Sequence, residues 1–466
     1  MRASRQPRKR RCVVDFRRVN GYIVRMEHPL STEKAVRIIE TFDSLPVEQR
    51  VEIFRDLSPK GREELIEVVG RPTELIRRVS EEEMFFTIKR LSEENALALI
   101  ALTTGKQLLY LLDIDLWKED MFDTYAIGRW LDILSRIGEE KMLQFVQIAD
   151  PELILTALDR LMTVKTRDPD IDLVEERDTL PPFTLEDVFF IEFRVPDSED
   201  VLKQFLEAVF RWDTRYYLNM MQELSMGIPL ENEEAALKWR RARLADKGFP
   251  EFDEAVEIYH YLQAGAVQEP LAEMLQPEPT PSEKLRYFLG YPLKVVDTNS
   301  LFRKCLDDVL DRSEKDRLDT ELAHLSNKVM VADGRDPGSI EELQGSLKKV
   351  SGYINIALED ICGEDVSKAL GLLRSNHMEI LFRRGFSLIL DLRKDAQKLV
   401  RNYEGGVENL GHPLAELLKA LFQKRPYYAS QVLGDKKIRE FERIDDIRII
   451  REMMNYAVLE DSWEPF

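Results

Sequence analysis

Only three cysteines, Cys12, Cys305 and Cys362, are spread over 466 residues. They are too few and too scattered for a disulfide framework, and no two have metal-ligand spacing. Histidine is scarce as well: His28, His260, His324, His377 and His412 stand apart in sequence, and no H-E-x-x-H pair occurs. Long apolar runs are missing. Ala96–Leu102 is among the longest, far short of the roughly 18 residues that suggest a membrane span. No apolar segment follows the basic N-terminus, so no secretory signal is expected. Phosphate loops are missing too: around Gly105-Lys106 a Walker motif needs glycine at 100 and Ser or Thr at 107, where Ile100 and Gln107 stand. No G-x-G-x-x-G follows a strand and no G-x-S-x-G elbow exists. These absences lead us to expect a cytoplasmic protein with no cofactor, no metal and no membrane span.

Hydrophobic residues make up 44% of the chain and charged residues 33%, an ordinary globular composition at a length that allows two or three domains. The net charge of −19 is uneven. Residues 1–18 hold eight basic side chains against Asp15, which leaves −26 on residues 19–466. An acidic body of that size repels nucleic acid and anionic membranes. Residues 1–25 read as a basic arm outside the folded chain, either a solvated tail or a tether for nucleic acid or an acidic partner.

Helix start signals recur between Leu45 and Met162. Val47, Val51 and Phe54 share one face; Ser58-Pro59 supplies a capping hydroxyl and a proline at the first helical position. Ser80-Glu81-Glu82-Glu83 has the spacing of a capping box. Ser92-Glu93-Glu94 and Asp150-Pro151-Glu152 start further runs. Helices this short are marginal alone and must bury their stripes against neighbours. The pattern predicts a mainly α protein whose N-terminal array of short stacked helices is α-solenoid-like, with an extended binding surface as its usual output.

Leu45-Pro46-Val47-Glu48-Gln49-Arg50 and Leu57-Ser58-Pro59-Lys60-Gly61-Arg62 resemble the short-helix repeats in the cytosolic domain of magnesium transporters of the MgtE type. More distantly, they are similar to those of the flagellar motor switch protein FliG. The resemblance implies helix stacking and interaction, and not magnesium sensing, because the transporter pattern also requires a membrane domain. Thr103–Tyr110, Leu112–Trp117, Ser326–Gly334 and Gly385–Leu392 resemble a bacterial family known only as a domain of unknown function, over about residue 28 almost to the C-terminus. That resemblance brings no activity and no catalytic residues.

The expected organisation is an arm at 1–25, the array at 28–165, a mostly helical middle region at 183–267, a proline-rich linker at 268–283 and a helical C-terminal domain at 284–466. Phe189, Ile191, Phe193 and Val195 alternate with Phe190, Glu192 and Arg194, so a small β element is expected near 188–195. One long helix is expected from Ser198 to Met226. Lys238-Trp239-Arg240-Arg241-x-Arg243 reads as a solvated face. Asp168-x-Asp170-x-Asp172 lacks the glycine and glutamate of a calcium loop, with Leu173 and Thr179 in their places.

The densest acidic group beside aromatics is Asp113, Asp115, Trp117, Glu119 and Asp120. It reads either as a patch for a hard cation or basic partner segment, or as a polar loop with Trp117 packed inward. Three roles follow. The first is an interaction or regulatory scaffold that binds another protein or itself. The second is an enzyme with a carboxylate- or metal-based site at the domain junction. The third is a nucleic-acid-associated regulator acting through residues 1–25.

Overall fold

The computed structural model describes residues 39–170, 179–227, 229–268, 291–403, 406–434 and 438–461. The arm at 1–25, all but the first residue of the proline-rich stretch 268–283 and residues 284–290 of the expected C-terminal domain lie outside these. So do residues 28–38 of the expected array. The chain divides into two compact units, Met1–Arg243 and Leu244–Phe466.

The first unit opens with the short helices α1 (Val47–Asp56), α2 (Pro59–Ile66), α3 (Pro72–Ile76), α4 (Glu81–Lys89), α5 (Glu93–Leu102), α6 (Gly105–Asp115), α7 (Thr124–Ile137), α8 (Glu139–Ile148) and α9 (Pro151–Leu161). Two more, α10 (Glu199–Trp212) and α11 (Thr214–Met226), precede α12 (Pro229–Ala245). Every helix from α1 to α9 packs on the helix two places further along, α9 on α11 included. Their apolar stripes, Phe54, Leu65, Leu75, Met84, Leu99 and Leu108 among them, are fully buried, each worth roughly 1.5–3 kcal/mol.

Three buried polar side chains each join a later helix to the end of an earlier one. An α-helix leaves its last carbonyls without partners, and here a later helix supplies the donor. Arg62 of α2 donates to Phe54 O at 3.0 Å, Arg55 O at 2.7 Å and Leu57 O at 3.2 Å, closing the end of α1. Its guanidinium also meets the buried Glu83 carboxylate of α4 at 2.5 Å. Gln107 of α6 donates to Ile76 O and Val79 O behind α3. Lys141 of α8 donates to Thr103 O at 2.8 Å and to Thr103 Oγ1 at 2.9 Å behind α5. Burial pushes the Lys141 ammonium down to about 8.

The Arg62 joint alters one expected cap. Ser80 Oγ accepts from the Glu83 N–H, but the Glu83 side chain turns to Arg62, so only half of the capping box forms. A complete box stands at Thr104 and Gln107, each side chain bonded to the other's backbone. The helix expected to run unbroken from Ser198 to Met226 is interrupted at Asp213, whose carboxylate accepts from the Tyr216 N–H at 2.9 Å and so starts α11. The strand signal is realised: β4 (Phe189–Phe193) pairs antiparallel with β3 (Met162–Thr166). The other sheet among the described residues is a tight hairpin of β1 (Trp117–Lys118) and β2 (Met121–Phe122).

The second unit is helical as expected: α13 (Phe252–Val256), α14 (Tyr291–Lys294), α15 (Leu301–Asp308), α16 (Arg312–Asp333), α17 (Ile340–Cys362), α18 (Val366–Ser375), α19 (Met378–Asn402), α20 (Leu414–Leu421) and α21 (Ile444–Asp461). α17 is its centre and packs on α15, α16, α18, α19 and α21. The crossing of α17 and α19 needs glycine, because a Cβ at Gly385 would stand 2.0 Å from Tyr353 O. No helix among the described residues is long and apolar enough to cross a membrane.

Candidate functional site

The end of α6 and the β1–β2 hairpin carry the acidic–aromatic group, and three of its five residues, Asp113, Asp115 and Trp117, turn inward. Trp117 packs edge-on against Phe122, with centroids 5.2 Å apart, and both are buried. Asp113, at the end of α6, is buried and takes a two-bond grip from Arg243, Nε to Oδ2 at 2.7 Å and Nη2 to Oδ1 at 2.8 Å. Arg243 also donates to Asp150 at 2.6 Å. Burial works against its charge, but these bonds raise the Arg243 pKa. Asp115 meets Lys89 at 2.5 Å and accepts from Trp130 Nε1 at 3.2 Å. Glu119 and Asp120 face outward at the turn, Glu119 in the left-handed region at φ 54° and Asp120 paired with Arg241 at 2.6 Å.

The basic cluster of α12 departs from the expected solvated face. Arg240 is buried; it donates to Asp113 O at 2.7 Å and lies over the Trp117 ring at 5.5 Å. Trp239 is half exposed. Arg240 and Arg243 thus clamp the hairpin to the end of α6, so the internal carboxylates already hold cationic partners. Among the described residues no group of three His, Cys, Asp or Glu side chains is arranged to hold a metal ion.

A groove of about 560 Å³ opens within the array. Val79, Leu109 and Ile148 give it apolar walls, and Arg77 and Lys106 are exposed beside them. Its geometry follows from the array's own joints. Gln107 fixes the turn ending in Val79 to the start of α6, and Gly105 lets that first turn lie against α8, since a Cβ there would come within 2.8 Å of Ile148 Cγ2. Thr103–Tyr110 fails as a nucleotide motif, yet it forms one side of this groove. Sequence reasoning missed it because the facing residues come from α3, α4 and α8.

The second unit brings together groups that are distant in sequence. His324 and His377 share a pocket of about 300 Å³ with Glu321, Lys328 and Glu379. His377 Nδ1 stands 3.5 Å from Glu321 Oε1, and Lys328 reaches both Glu379 oxygens at 3.2 Å. Deeper in this unit Asp333 accepts from Tyr259 Oη at 2.8 Å, Lys349 Nζ at 2.8 Å and Arg425 Nε at 2.9 Å. Burial opposes its charge, but Lys349 and these hydrogen bonds hold the Asp333 carboxyl below its ordinary range. Burial pushes nearby Glu440 up, against the pull of Lys349 and Arg335. Asn327, Lys328, Asp333 and Arg335, within nine positions of one another, therefore serve different ends: Asn327 anchors Lys247 O, Lys328 lines the pocket, and Asp333 and Arg335 join the buried network.

Comparison with known proteins adds one finding. A family model described as "Family of unknown function (DUF6178)" matches residues 39–463, and the chain belongs to that family. No curated protein and no solved structure matches it.

Proposed function

We propose, for a member of a family that carries no assigned activity, that the chain is a cytoplasmic interaction scaffold whose array α1–α9 binds another protein. The observation that carries this reading is the unbroken packing of each short helix on the one two places along. In such an arrangement each helix contacts only near neighbours, and the helices present their outer faces in series, as protein-binding repeat arrays do. The buried joints at Arg62, Gln107 and Lys141 support the reading, because they fix the helices without using the outer faces.

The test is affinity capture of the full chain from its own cells at moderate salt, followed by chemical cross-linking and mass spectrometry. A stoichiometric partner cross-linked to residues 46–161 is the expected result. Capture of no partner, or cross-links confined to residues 244–461, overturns the proposal. Cross-links only between copies of the chain would replace the partner by self-association.

A further inference from the structure

We propose that the groove between α6, α8 and the turn leading into α4 receives a partner segment in which an acidic side chain stands beside a bulky apolar one. This inference rests on the scaffold reading and names the chemistry of its partner.

The walls decide the apolar half. Val79, Leu109 and Ile148 form a patch inside a groove of about 560 Å³, a size within the range of ligand-binding clefts and far larger than a single ion needs. The groove is built before anything binds. Gln107 holds Val79 O at 2.7 Å, the Thr104–Gln107 box fixes the first turn of α6, and Gly105 seats that turn on Ile148. A preformed site spares the ordering cost of binding.

The cations decide the acidic half. Arg77 and Lys106 are exposed, and among the described residues neither side chain has an ion-pair or hydrogen-bond partner. Glu81, the acid on the lining, already has an interaction of its own. Some other cations of the array are matched, as in Arg50 with Glu74, Lys89 with Asp115 and Arg136 with Glu93, but Arg77 and Lys106 are the two cations on the lining of this groove. The chain's net charge of −19 does not cancel this local preference, because physiological salt screens charges beyond about 8 Å. A partner carboxylate between Arg77 and Lys106, with its apolar neighbour on Ile148 and Leu109, satisfies both halves at once.

The experiment selects random peptides displayed on phage against the full chain, then measures the enriched peptides by fluorescence polarisation. The proteins compared are the parent, the Arg77→Glu/Lys106→Glu variant and an Ile148→Ser variant. Acidic–apolar peptides are expected to be enriched and to bind more weakly as salt rises. They should lose roughly tenfold or more in affinity to the charge-reversed protein, the effect of reversing charges at an interface. Both substituted side chains in that variant are exposed, so its circular dichroism and unfolding midpoint should match the parent's. Ile148→Ser should weaken binding without changing its salt dependence. Enrichment of basic or uncharged peptides, equal binding to parent and charge-reversed proteins, or no enrichment overturns the inference. Peptides that ignore the reversal but cross-link elsewhere on α1–α9 overturn it while leaving the scaffold reading in place.

Discussion

Replacing Arg62 by alanine tests the joint that holds the start of the array. The side chain is 4% exposed and the carboxylate it faces, on Glu83, is 2% exposed. The guanidinium serves three carbonyls at the end of α1 and Thr87 Oγ1 of α4. Its contact with Glu83 is an ion contact at 2.5 Å without hydrogen-bond alignment at Glu83 Oε1. Alanine removes the guanidinium that stands 2.5 Å from a buried carboxylate, a loss of about 3–5 kcal/mol. The orphaned carbonyls would add roughly 1–3 kcal/mol each if they stayed dry, but water entering the vacated space reduces that. We therefore expect about 4 kcal/mol in total. Replacing both partners by apolar residues of similar shape, Arg62→Met with Glu83→Leu, should cost less than about 1.5 kcal/mol, because no charge is left buried. Urea unfolding followed by tryptophan fluorescence is a suitable assay: Trp117, Trp130, Trp212 and Trp239, four of the five tryptophans, lie in the first unit. A loss below about 1 kcal/mol in the single variant, or a double variant as unstable as the single, would refute the reasoning.

Lys141 gives a pH signature. Its pKa in the folded chain is about 8, below the ordinary 10.5. Below pH 8 both states hold the proton and the folded state carries the cost of burying it; between 8 and 10.5 the unfolded chain keeps a proton that the folded chain has shed. Stability should therefore rise through that window by up to about 3 kcal/mol, and urea midpoints of a Lys141→Met variant should lack the rise. Gly385→Ala puts a methyl group 2.0 Å from Tyr353 O and should cost about 3 kcal/mol or more; limited proteolysis should then cut residues 291–461 while sparing the array. Asp113→Ala and Asp120→Ala, close in sequence, should differ sharply. The buried Asp113, gripped by Arg243, should cost about 3–5 kcal/mol. Asp120, 59% exposed against Arg241, should stay within about 0.5 kcal/mol, and a comparable loss in both would overturn the burial argument.

Much of the architecture was legible because it is written in short-range chemistry. Ser58 and Pro59 start α2 as expected: the Ser58 hydroxyl accepts from the Gly61 N–H, and Pro59 needs no donor at the first helical position. Phe189–Phe193 alternates and is a strand. Where the reading departed from the fold, a distant partner had intervened. Glu83 is drawn from its cap by Arg62; Arg240 and Arg243 look like a solvated basic run until the hairpin and Asp113 are placed beneath them. The acidic–aromatic group shows the same limit, since Asp113 and Asp120 have the same chemistry and opposite surroundings.

By itself the sequence determined the helical class, the short helices and where several of them start, and the one clear strand, because capping and side-chain periodicity act within a few residues. Only the tertiary structure decided that each helix rests on the one two places along and which side chain closes the end of which helix. It alone decided that Val79, Leu109 and Ile148 share one groove with Arg77 and Lys106, and that His324 and His377 share one pocket. Those outcomes depend on packing and charge pairing between residues far apart in the chain, which no local spacing encodes.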